Sequence, residues 1–88
     1  MHLIDGHILR QVRGNTVLVP PPEKEIGFNG MISLNHTGAF VCKLLCEDID
    51  RHSIVCALAK QYGVETNSVE ADVDEFLSVL SSCNMLVE

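Results

Sequence analysis

"NGMISLNHTGAFVCKLL", residues 29–45, passes from a strand pattern into a helix pattern with no loop between them. In an extended chain Ile32 and Leu34 point to one side while Met31 and Ser33 point to the other. Gly30 is expected to mark a bulge at the start of this strand, which the pattern places within "FNGMISL". Asn35 follows at once and is a good N-cap, because its side-chain oxygen can accept from an N–H of the first helical turn. The spacing predicts a first helix over 36–46, with Phe40, Val41, Leu44 and Leu45 as its apolar stripe. Strand end and helix cap therefore share adjacent residues, and the two elements are rigidly coupled.

Upstream, "HILRQVRGNTVLV" reads as two strands joined by a Gly14-Asn15 turn of type II′. Pro20-Pro21-Pro22 ends the second strand, since three residues without N–H donors cannot continue a ladder. A polar "EKE" connector leads to the third strand. Downstream, a second helix is expected over 51–62, capped by Asp50 and stopped by Gly63, with Ile54, Val55, Leu58 and Ala59 inward. In the third helix Val69, Val73, Phe76, Leu77 and Leu80 share one face, and Asn67 with Glu70 suggests a capping box. Asp72, Asp74 and Glu75 fall on its solvent side, and the terminal "MLV" is expected to fold back onto the core. The order β-β-β-α-α-α makes residues 1–88 a single α+β domain, a small antiparallel sheet covered by a three-helix bundle.

Size and charge narrow the function. The 88 residues bury only about 60–65% of the unfolded surface. With four aromatic side chains (Phe28, Phe40, Tyr62, Phe76), the core rests on Leu, Ile and Val. Such a core leaves little room for an enzyme pocket. Residues 1–40 are charge-neutral, and residues 41–88 carry the whole net charge of −6. A nucleic-acid binder needs a basic face; the acidic helical half favours a basic partner and disfavours DNA or RNA. No cationic segment leads into an apolar run at the N-terminus, and no run is long enough to span a membrane. A cytoplasmic chain with reduced thiols is the expectation, its four cysteines serving as small apolar side chains.

The alternatives from site chemistry are weaker. Cys42/Cys46 and His52/Cys56 are i, i+4 pairs that together could offer zinc four ligands, but paired C-x-x-C spacing is absent. His2, His7 and His36 read as surface or capping-region residues. A nucleophilic cysteine needs a lowered pKa and a positioned base, whereas Glu47 and Asp48 beside Cys46 would raise its pKa. Ser68 lacks the preceding Asp of a carrier protein, and no Gly-rich phosphate loop is present. No cofactor and no metal are expected.

"SLNHTGAFVCKLL" resembles the LN-x-T-G-x-x-x-W-x-L-L signature of PqqD-like proteins, the small chaperones of pyrroloquinoline quinone biosynthesis. "IVCALAKQYGV", "VEADVDEFLSVL" and "MLVE" are similar to that family's later blocks, in order, over residues 7–88. The resemblance implies a winged helix-turn-helix variant without catalysis of its own. It implies binding of the leader segment of a ribosomally made precursor peptide, and its presentation to a modifying enzyme, often a radical S-adenosylmethionine enzyme. The leader would add as a strand in the cleft between the third strand and the third helix. Carried over, the candidate positions are Met31, Ile32, Ser33 and Leu34 on the strand, and Val69, Asp72, Val73, Phe76 and Val79 on the helix. Two departures stand out: Cys42 replaces the signature tryptophan, and "CED" replaces an acid-glycine pair after the first helix.

The physics of an open edge agrees, since unpaired N–H and C=O groups bind any extended peptide. The same edge could pair with a second copy, giving a homodimer. If the Ile32 N–H faces that edge, Ile32→Pro is expected to abolish peptide binding. The reading from another class is a winged-helix transcriptional regulator or a protein-interaction scaffold.

Overall fold

Arg13 and Gly14 set the register of the sheet. Both have positive φ, 51° and 81°, the signature of a two-residue type I′ turn. The loop is therefore Arg13-Gly14 and not the expected Gly14-Asn15 of type II′. Asn15 already belongs to a strand and pairs with Val12. Both primed turns match the twist of the strands, so the register decides between them: the Val12–Asn15 pair closes the loop on Arg13-Gly14, and a non-glycine residue then occupies the left-handed region.

The computed structural model describes residues 1–21 and 32–88. The elements are β1 (His2–Leu3), β2 (Ile8–Val12), β3 (Asn15–Val19), β4 (Ile32–Leu34), α1 (His36–Leu44), α2 (Arg51–Tyr62), a 3-10 turn (Thr66–Ser68), α3 (Glu70–Ser82) and β5 (Leu86–Val87). The expected third strand is β4; its earlier part, with Gly30 and Met31, lies outside the described residues. Strands β2, β3 and β4 form an antiparallel sheet in that order, so β3 is central and β2 and β4 are the edges. The termini make a second, two-stranded sheet, β1 with β5. The fold-back of the C-terminus was expected, but its pairing with β1 was not. Two residues are too few to show an alternating pattern.

One apolar core fills the space between sheet and helices. Leu18 and Leu34 supply the sheet side, while Leu45, Ile54, Leu58, Val73 and Leu80 supply the helix side. Helix α2 buries the four residues expected of it, Ile54, Val55, Leu58 and Ala59. Helix α1 is rotated from the expected stripe. It buries Gly38, Val41, Cys42 and Leu45, leaving Phe40 and Leu44 half-exposed. A small residue at Cys42 lets that face pack closely.

The helix ends follow from local chemistry. Asn35 Oδ1 accepts from the Gly38 N–H at 2.8 Å, and Asp50 Oδ1 from the Ser53 N–H at 2.7 Å, as their positions suggested. Helix α3 has no side-chain cap. Asn67 lies in the 3-10 turn before it, so the expected Asn67–Glu70 capping box does not form. Both α2 and α3 end in Schellman motifs: Val64 N–H bonds Ala59 C=O, and Met85 N–H bonds Leu80 C=O. Gly63 and Asn84 occupy the left-handed position between, at φ 64° and 59°.

Candidate functional site

The type I′ turn also determines which groups of β4 are free. Its closing pair, Val12 and Asn15, exchanges hydrogen bonds, and such pairs alternate along an antiparallel ladder. Asn15, Val17 and Val19 thus direct their N–H and C=O groups to β2, and Thr16 and Leu18 direct theirs to β4. The partners of Thr16 and Leu18 are Leu34 and Ile32, which point their backbone groups back into the sheet. Ser33 alone among the three β4 residues presents its N–H and C=O outward. This corrects the expectation for Ile32→Pro: the Ile32 N–H serves the β3–β4 ladder and not the open edge.

Just after β4, from Asn35 onward, a cleft of about 300 Å³ lies between the first turn of α1 and the outer face of α3. Asn35, Thr37 and Gly38 form one wall, and Asp72, Glu75, Phe76 and Val79 the other. The Phe76 ring lies so close to Gly38 that a Cβ there would be 3.1 Å from Cε1. Gly38 thus lets the ring lie against the α1 backbone and shape the floor of the cleft. A glycine inside a helix costs about 1 kcal/mol relative to alanine, and that anomaly was the sequence signal for a close approach at this position. The α1 wall was nevertheless absent from the sequence-based set, because the pairing of Gly38 with Phe76 spans two elements.

The candidate residues divide by location. Ser33, Asp72 and Val79 are exposed at the edge or cleft, and Phe76 is half-buried within it. Ile32 is half-buried and Leu34 buried on the core face of β4. Val73 is fully buried and Val69 nearly so; they follow the apolar face of α3 into the core, so Val73 supports the cleft from behind. Met31 lies outside the described residues.

The acids of α3 are not equivalent. Arg51 Nη2 donates to Asp74 Oδ2 at 2.9 Å and reaches Glu70 Oε1 at 3.5 Å. Hydrogen bonding to Arg51, reinforced by its charge, holds the Asp74 carboxyl below its usual range. Asp72 and Glu75 have no ion-pair partner among the described residues. Negative charge is thus left available at the cleft itself.

The four cysteines are free thiols. Burial, and secondarily the nearby Cys46, pushes the Cys42 thiol up to about 12, so it is an inert apolar group at neutral pH. His7 lies 3.8 Å from Cys46, and His52 3.5 Å from Cys56. No group of three or more potential metal ligands converges among the described residues. No helix among them is long and apolar enough to cross a membrane.

A sheet followed by three helices, with a free strand edge beside a helix-walled cleft, defines a small winged-helix-like α+β domain. The family model for coenzyme PQQ synthesis protein D (PqqD) matches residues 15–86, and the chain belongs to this family. A solved structure with the same fold is TbiB1 in complex with the TbiA(beta) leader peptide. Its TM-score is 0.76 at 24% identity, covering 98% of this chain and 94% of TbiB1. No curated protein matches the sequence.

Proposed function

We propose that this protein binds the leader segment of a ribosomally synthesised precursor peptide as an added strand on β4, and presents that precursor to a modifying enzyme of the radical S-adenosylmethionine type. The protein does no chemistry itself. The observation that carries this reading is the outward Ser33 backbone, two residues before Asn35 enters the cleft walled by Phe76 and Val79. Main-chain hydrogen bonds to an extended peptide supply sequence-independent affinity, and the cleft beside them supplies the side-chain selection. Membership of the PqqD family and the leader peptide held by TbiB1, a protein of the same fold, support it.

The same edge could join two copies of the chain, and peptide binding would then compete with dimerisation. A transcriptional regulator remains the reading from another class, but the acidic helical half offers phosphates no attraction. The test is an amide-proton NMR titration with the peptide encoded beside the gene. Shifts at Ser33, the first turn of α1 and the outer face of α3 are the expected outcome. A silent spectrum with that peptide, or salt-dependent shifts with duplex DNA, would count against leader binding.

A further inference from the structure

The cleft beside β4 does not end at Asp72. Beyond it a second cleft of about 220 Å³ opens between α2 and α3, with Leu58, Tyr62, Val64 and Val69 in its walls. Thr37 and Asp72 line both clefts, so the two adjoin there and lie one after the other along α3, a trough with Asp72 at its junction. Three large apolar side chains with substantial exposure lie on it: Val79 (44%) at one end, Tyr62 (47%) and Val64 (45%) at the other. Single exposed apolar residues are ordinary, but a row of them along one groove marks a contact surface. The far end is also held in place. Val64 is fixed by its N–H bond to Ala59 C=O in the Schellman motif that ends α2.

We propose that this trough extends the leader site past the β4 edge and selects a leader segment carrying Lys or Arg over Asp72, followed by an apolar side chain in the α2–α3 cleft. The proposal rests on the leader-binding reading above. Two features specify the occupant. Asp72 lies at the junction with no ion-pair partner among the described residues, so a purely apolar ligand would desolvate a carboxylate without compensation. The helical half that builds the trough carries the whole −6 of the chain, which attracts a basic peptide and repels a second copy of this protein.

The test is selection of phage-displayed random short peptides on the folded protein. Binders are then synthesised and titrated by fluorescence anisotropy against wild type, Ser33→Pro, Val64→Glu and Asp72→Lys. Circular dichroism confirms that each variant folds, which the surface positions of all three substitutions favour. The expected binders pair a basic with an apolar residue. They weaken about tenfold or more on Ser33→Pro and on Val64→Glu, as loss of an edge hydrogen bond or an apolar anchor does, and about threefold at low salt on Asp72→Lys, as loss of an exposed charge pair does. Binders that need Ser33 but tolerate Val64→Glu and Asp72→Lys would overturn the extension and leave leader binding at β4 intact. Binders indifferent to Ser33→Pro would overturn strand addition itself, and the extended site with it.

Discussion

Among the described residues the three-stranded sheet has two open edges, and they are built differently. β2 pairs, among the described residues, only with β3, and it turns Leu9 and Gln11 backbone groups outward, on a five-residue strand whose side chains are mostly exposed. β4 contributes only Ser33 among its described residues, yet that strand runs straight through Asn35 into a helix-walled cleft. Main-chain hydrogen bonding alone would favour β2, the longer edge. An edge becomes a specific receptor only when a second element supplies side-chain pockets beside it. An edge without such a wall is simply an unpaired strand, and the exposed Arg10 on β2 is the kind of charge that discourages unwanted pairing.

The largest effect expected from this difference is on binding. Ser33→Pro removes the outward N–H of β4 and should weaken leader peptide by about tenfold to a hundredfold, the equivalent of one lost hydrogen bond plus a ring clash. Gln11→Pro removes an outward N–H of β2 and should leave the affinity unchanged. Isothermal calorimetry on both variants decides the matter; equal losses would erase the distinction between the edges. Ile32→Pro should act on the fold instead, by about 1–3 kcal/mol in urea unfolding, because its N–H pairs within the sheet. A normally stable Ile32→Pro protein would mean that the register is shifted by one residue.

Charge reversal at Asp72 and Glu75 together should weaken a basic leader by about 1 kcal/mol at low salt and by less at high salt. Equal affinity at low salt would remove the acids from the recognition. The smallest effect concerns the far end of the β2 edge. Arg13→Gly relieves a positive φ and should raise stability by about 0.5–1 kcal/mol without changing peptide affinity. A destabilised Arg13→Gly protein would show that the Arg13 side chain makes a contribution beyond its turn.

Much of this architecture was legible in the sequence because its signals are local. The caps at Asn35 and Asp50, the stop at Gly63 and the inward face of α2 each depend on residues within a turn or two of one another. The errors arose where two local signals competed. Gly14-Asn15 and Arg13-Gly14 both contain a glycine suited to a turn, and only the pairing of Val12 with Asn15 distinguishes them. Asn67 carries the right side chain for a cap, but a 3-10 turn comes between it and the first residue of α3.

The candidate site divides along the same line. The family resemblance implied a cleft flanked by β4 and α3, and carried Asp72, Phe76 and Val79 over into it. It carried Val73 over as well, and the apolar periodicity of α3 does not separate a side chain lining a groove from one lying beneath it; complete burial of Val73 does. The wall contributed by Thr37 and Gly38 emerged only once α1 was docked beside α3.

What the sequence determined by itself was the β-β-β-α-α-α order, two of the helix caps and an acidic helical half, since each follows from composition or from spacing of a few residues. The tertiary structure alone decided which backbone groups of β4 face away from β3, that among the described residues Asp74 is paired with Arg51 while Asp72 is not, and that two clefts adjoin at Thr37 and Asp72. Those outcomes depend on the register between strands and on the docking of helices distant in the chain. Both are set by long-range packing, which no local pattern encodes.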